Sequence, residues 1–136
     1  MARRTITRIL VPLLVFGALL PVAAEPAAAA SSGLSCRYTV ISWTGGFSAE
    51  LAITNNTATT VNGWTAFWTF PDATQVTATW NGSIVQGSPY DATARSTVYN
   101  GVIRPGAASA LGWTATASAT DVPAEILVNG RPCPLA

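Results

Sequence analysis

Apolar and polar positions alternate with a period of two along most of this chain, and that alternation predicts strands. Phe47, Ala49, Leu51 and Ile53 interleave with Ser48, Glu50, Ala52 and Thr54. Trp64, Ala66, Trp68 and Phe70 form the next apolar set, between the turn pair Asn62-Gly63 and Pro71. Val76 leads towards Trp80. Leu111 and Trp113 share a face further on, as do Ile126 and Val128 in a last segment that ends at Asn129-Gly130. Successive strand side chains point to opposite faces, so each set reads as the buried side of a half-exposed strand. Thr and Val, which suit strands, are abundant, and no stretch has the period of an amphipathic helix. Turn signals recur every ~8–12 residues, the spacing of a sandwich or barrel. The pattern predicts an all-β fold: an antiparallel β-sandwich, jelly-roll or immunoglobulin-like, of about eight or nine short strands in packed sheets.

The same alternation sorts the tryptophans. Trp64, Trp68 and Trp113 keep step with inward residues and belong to the expected core, whereas Trp43 and Trp80 fall out of step. Each of these sits beside a turn, in Trp43-Thr44-Gly45-Gly46 and Trp80-Asn81-Gly82, and Tyr99-Asn100-Gly101 repeats the arrangement. Gly takes positive φ without steric cost and Asn tolerates it, so these are expected surface turns. Rings tied to such turns are expected to be exposed and to line up as a flat apolar strip, a feature that usually binds something. In the competing reading Trp43 and Trp80 cap the ends of the sandwich. Phe67 faces opposite to Trp68 in this scheme, and the pattern gives it no role.

The start of the chain is of another kind. Arg3, Arg4 and Arg8 precede an apolar run from Ile9 to Leu20, broken by Pro12 and followed by the small-residue sites Val22-Ala23-Ala24 and Ala28-Ala29-Ala30. That is the layout of a secretory signal peptide, and the run is too short to span a bilayer. Residues 1–30 are therefore expected to be signal peptide and a short Ala/Ser-rich leader. Residues 31–136 are expected to be one domain, secreted and with no membrane attachment after cleavage. Cys36 and Cys133 flank that domain, and in an exported chain they are expected to pair; the other reading is two free thiols. A net charge of +1, with 10% charged residues, offers no field for nucleic acid.

Catalytic equipment is missing from the sequence. With no His in the chain there is no Ser-His-Asp or Cys-His arrangement and no imidazole metal ligand, and no cofactor or metal is expected. A glycosidase needs two well-placed carboxylates. The domain offers Glu50, Asp72, Asp91, Asp121 and Glu125. Asp72 follows Pro71 and Asp121 precedes Val122-Pro123, and both read as turn formers; Glu50 is on the outward side of a strand, and Asp91 and Glu125 have no visible acidic partner. An enzyme is not expected. A flat aromatic strip suits the faces of pyranose rings, whose axial C–H groups meet the negative π-face of an indole or phenol.

The residues resemble the family 2 carbohydrate-binding modules of bacterial cellulases and xylanases, from Cys36 to Cys133. The motifs that carry the resemblance are Trp43-x-x-Gly46-Phe47, Ile53-Thr54-Asn55, Asn62-Gly63-Trp64 and Phe70-Pro71 with Val76-Thr77-x-x-Trp80. Tyr99-Asn100-Gly101-x-Ile103-x-Pro105-Gly106, Gly112-Trp113, Pro123 and Asn129-Gly130-x-Pro132-Cys133 complete them. The resemblance implies an antiparallel β-sandwich with its terminal cysteines bridged and a ligand lying across a flat, aromatic sheet face. It places Trp43, Trp80 and Tyr99 on the family's exposed aromatics and Trp64 on its buried one. Tyr99 stands where the family usually has Trp. Glu50 and Thr114 stand nearest to accompanying polar groups that are often Asn or Gln. The segment around Trp80 resembles the cellulose-binding branch. The implied function is a secreted, monomeric, non-catalytic module for insoluble cellulose or a related β-1,4-linked polysaccharide. Xylan or chitin as ligand, and a structural or protein-binding sandwich, are the other readings. Such modules are normally tethered to a hydrolase, so the chain is expected to be a free-standing binder or a fragment.

Overall fold

The computed structural model describes residues 17 and 33–136. The expected signal peptide and its cleavage sites, apart from Gly17, lie outside the described residues. Among the described residues the strands are β1 (Leu34–Trp43), β2 (Gly46–Asn55), β3 (Val61–Asn62), β4 (Thr65–Thr69), β5 (Thr74–Trp80), β6 (Ser83–Val85), β7 (Asp91–Arg95), β8 (Val102–Ile103), β9 (Ala108–Ala117), β10 (Ile126–Val128) and β11 (Arg131–Pro132). Three of these, β3, β8 and β11, are only two residues long. The remaining strands match the count expected from the sequence.

The strands form a four-stranded sheet in the order β1-β2-β9-β5, a five-stranded sheet in the order β11-β10-β4-β7-β6, and the small pair β3-β8. Every ladder is antiparallel. The two larger sheets bury the apolar sets that alternation picked out. Phe47, Ala49, Leu51 and Ile53 of β2 are buried, as are Ala66 and Trp68 of β4, Leu111 and Trp113 of β9, and Ile126 and Val128 of β10. Trp68 from one sheet stacks on Trp113 from the other, with ring centroids 5.0 Å apart. Phe70 meets Trp68 edge-on at 5.8 Å and Phe47 at 6.4 Å. Trp64 is buried too, and its indole N–H donates to the Asn100 carbonyl at 3.1 Å. Phe67, on the other side of β4 from Trp68, is exposed on the outer face of the five-stranded sheet.

Cys36 and Cys133 are joined, as expected, and both are buried. The bridge spans a sequence separation of 97, and in the chain-entropy view closing so long a loop is worth about 4–5 kcal/mol. Backbone bonds reinforce it: the Cys36 N–H donates to the Pro134 carbonyl, and the Ala136 N–H donates to the Cys36 carbonyl, both at 2.8 Å.

One irregularity decides the outer face. The β5–β9 ladder pairs Val76 with Ala115 and then resumes at Ala78 with Thr114, leaving Thr77 as an extra residue. Such a bulge shifts the side-chain phase of everything after it. Val76 packs against the core. Trp80, four positions on, would share its face in an unbroken strand, and instead it pairs with Gly112 on the outer side. The Thr77 hydroxyl holds the bulge, 3.0 Å from the Thr114 hydroxyl and 3.2 Å from the Thr114 carbonyl.

Two of the carboxylates are neighbours in space. Asp72 and Asp121, read as separate turn formers, come together: a hydrogen bond to Asp121, with desolvation and the neighbouring charge, raises the Asp72 carboxyl above its ordinary range. The folded state therefore holds the Asp72 proton more tightly than the unfolded chain does. The stabilisation from that proton is complete below the ordinary Asp range and is lost as pH rises through the raised value. Asp72→Asn, which keeps a neutral side chain at every pH, is expected to melt higher than the native protein at pH 7. Its melting temperature should also rise less on acidification towards pH 4, as thermal melts of both proteins across that range would register.

Candidate functional site

The outer face of the four-stranded sheet carries the aromatics. Side chains alternate along each strand, so this face is built from Arg37, Thr39, Ile41 and Trp43 of β1, from Gly46, Ser48 and Glu50 of β2, from Gly112 and Thr114 of β9, and from Ala78 and Trp80 of β5. Trp43 is 51% and Trp80 42% exposed, so neither is a core cap. Trp80 lies directly over Gly112: a Cβ built there would overlap the Cε2, Nε1 and Cζ2 atoms of the indole. Trp43 stands over its own cross-strand glycine in the same way, its Nε1 and Cε2 atoms lying 3.1 and 3.4 Å from a Cβ built on Gly46. Each indole thus has a partner position with no side chain to prop it away from the sheet.

Tyr99 reaches the site from the loop between β7 and β8. It is 71% exposed, and its hydroxyl donates to the Asn81 side-chain oxygen at 3.0 Å, next to Trp80. Asn100 fastens that loop, donating from Nδ2 to the Asn81 carbonyl at 2.6 Å and accepting from the Thr97 N–H at 2.8 Å and the Thr97 hydroxyl at 2.7 Å. The turns themselves differ from expectation. In Asn81-Gly82 it is Asn81, at φ 59°, that takes the left-handed conformation, and Tyr99-Asn100-Gly101 has no positive φ. Gly82 is there for space, since a Cβ would approach the Arg95 carbonyl to 2.9 Å.

Glu50 and Thr114 share this face but not one condition. Glu50 shares a row with Trp80 across Gly112. Together with Thr39, Ile41 and Ser48 these two side chains line a shallow niche of about 220 Å³. Thr114 is half-buried and its hydroxyl is already engaged with Thr77. Ile41, 70% exposed between Thr39 and Trp43 on the strand, was not singled out by the sequence pattern, nor were Gly46 and Gly112 as supports for the rings. The repeated Trp–Gly cross-strand pairing that marks them is visible only once the register is known. A larger depression, about 710 Å³, opens beside Thr74, Gln86, Pro89 and Ala117, with no aromatic ring in its lining. Among the described residues no group of three or more His, Cys, Asp or Glu side chains is placed to hold a metal ion.

Gly112→Ala tests the support directly. The added methyl is expected to push the Trp80 indole off the sheet, raising Trp80 exposure while its strand pairing persists. Red-shifted tryptophan emission with a melting temperature within a few degrees of the native protein is the expected result.

Comparison with known proteins adds a family. The pattern of the family described as "Cellulose binding domain" matches residues 34–133. Endoglucanase C of Cellvibrio japonicus is 35% identical over 99 residues, covering 72% of this chain. Exoglucanase A of Cellulomonas fimi is 31% identical over 115 residues, covering 84% of this chain. The chain spans 13% of the length of each of these relatives. Among solved structures, the chitin-binding domain of Chi18aC from Streptomyces coelicolor superposes with a TM-score of 0.62 at 26% identity, covering 74% of this chain and 94% of that one. The cellulose-binding family 2 carbohydrate binding domain from ScLPMO10C gives a TM-score of 0.54 at 32% identity, covering 69% and 91%.

Proposed function

The chain belongs to the cellulose binding domain family, whose members are non-catalytic polysaccharide-binding modules, and from that premise we propose that it is a secreted module adsorbing to insoluble cellulose through Trp43, Trp80 and Tyr99. The observation that carries this reading is the pair of indoles seated over Gly46 and Gly112 on one outer sheet face. Rings anchored to one sheet suit the flat faces of consecutive pyranose units in a straight β-1,4-linked chain, where dispersion and C–H contacts with the π-face supply the attraction. Tyr99, tethered to Asn81 beside Trp80, extends the strip with a smaller ring. Glu50 offers a hydrogen-bond acceptor to sugar hydroxyls at its edge, and Thr114 contributes chiefly by holding the sheet under it. Residues 31–136 act as a monomeric binding unit, and residues 1–30 serve export. Likeness to a chitin-binding domain favours chitin as a second ligand.

The test is adsorption to microcrystalline cellulose, xylan and chitin side by side. Cellulose is expected to retain the protein best and xylan least. Because stacking dominates and screening acts on charges, adsorption to cellulose should change little in ~0.5 M NaCl, where the Debye length is only a few ångström, and should survive EDTA. Loss of cellulose adsorption under either condition, or preferential retention by xylan, would contradict the reading.

A further inference from the structure

We propose that Glu50 directs this face towards polysaccharides bearing free amino groups, with partially deacetylated chitin as the ligand class. The proposal rests on the stacking reading above and deepens it. Thr39, Glu50, Gly112 and Trp80 form one row across β1, β2, β9 and β5. Strands lie about 4.8 Å apart, so Glu50 and Trp80 are separated by roughly 10 Å between backbones. The indole crosses Gly112 and closes much of that gap, and Glu50 and Trp80 line the same niche. A sugar ring lying on Trp80 would present its equatorial substituents to Glu50.

Glu50 is exposed, and among the described residues its carboxylate has no hydrogen-bond or ion-pair partner. The one other charged side chain on this face is Arg37, which pairs with Ala52 in the next row of the same side and forms no ion pair with Glu50. A hydroxyl arriving beside an ionised carboxylate must repay its desolvation with one hydrogen bond in which only the acceptor is charged. An ammonium group repays it with a hydrogen bond in which both partners are charged, which adds ion-pair attraction. An N-acetylated group offers only a neutral amide. The cationic form of the 2-amino sugar is therefore the substituent that gains most from this position.

The experiment compares cellulose, partially deacetylated chitin, and the same chitin after re-acetylation, at low ionic strength. The native protein, Glu50→Gln, Glu125→Gln and Trp80→Ala are assayed on each. An exposed carboxylate–ammonium pair predicts that the native protein binds the deacetylated polymer about two- to five-fold tighter than the re-acetylated one. Glu50→Gln should remove that ratio, bringing binding of the deacetylated polymer down to that of the re-acetylated one, by the same small exposed-pair energy. Glu125→Gln makes the same charge change on an exposed residue away from this face and should keep the ratio. A ratio that survives Glu50→Gln, or one that disappears equally in Glu125→Gln, overturns the proposal while leaving the stacking reading intact. Normal binding of Trp80→Ala to all three polymers overturns both.

Discussion

Trp80→Ala is expected to lower affinity for microcrystalline cellulose about tenfold or more while leaving the melting temperature nearly unchanged. Loss of one aromatic platform under a flat ligand costs roughly 1–3 kcal/mol in the comparable case of stacked nucleobases. Trp80 is a central platform, between the Tyr99 loop and Glu50. The ring is 42% exposed and lies over a glycine, so its removal opens no cavity between the sheets. Trp43→Ala should behave alike. Tyr99→Ala should cost less, because a phenol covers less of a sugar than an indole does. Adsorption isotherms beside thermal melts separate the outcomes. An early melt in Trp80→Ala, with normal binding by the fraction that remains folded, would assign Trp80 to the core and sink the aromatic-face reading.

Trp64→Ala should produce the opposite pattern, a large loss of stability. Emptying a buried aromatic site costs about 3–5 kcal/mol, a large share of the 5–15 kcal/mol that typically holds a domain together. Here the cost has a second component. The Trp64 indole N–H donates to the Asn100 carbonyl and lies 3.3 Å from the Ser109 hydroxyl, and Asn100 is the residue that fastens the Tyr99 loop. The variant is therefore expected to melt far below the native protein and, at low temperature, to show a loosened Tyr99. Chemical denaturation gives the first result and tyrosine-selective nitration the second. A melting point close to native would contradict the buried assignment.

The contrast between these residues marks how far the sequence is legible. Phe47 to Ile53, and Trp64 to Phe70, were readable because burial in a strand imposes a period of two and nothing interrupts it there. Trp80 was readable only as a residue out of step. Its cause, the extra Thr77, leaves no trace in residue type, because a bulge is defined by the partner strand. Gly46 and Gly112 were hidden for the same reason: which glycine lies opposite which indole depends on the register of ladders between segments far apart in the chain. The Asn-Gly pairs were recognised as turns, but which residue would adopt positive φ was not, since the preference is shared by both. The Asp72–Asp121 contact joins two separate loops, which strand periodicity does not position.

The disulfide also sets how the domain carries load. Cys36 and Cys133 sit near the two ends of the matched region, and apart from Leu34 and Ser35 both large sheets are formed by residues from Cys36 to Cys133. A pull applied to the polypeptide on either side of the domain passes from one sulfur to the other and, apart from the first two pairs of β1, Leu34 with Asn55 and Ser35 with Thr54, bypasses the β-ladders. A module gripping a solid by one sheet face while its flanks are tugged would thus transmit tension through a covalent link, leaving the aromatic face unstretched. Cutting that link would put the same tension on β1, whose hydrogen bonds to β2 would then be among the first to take it.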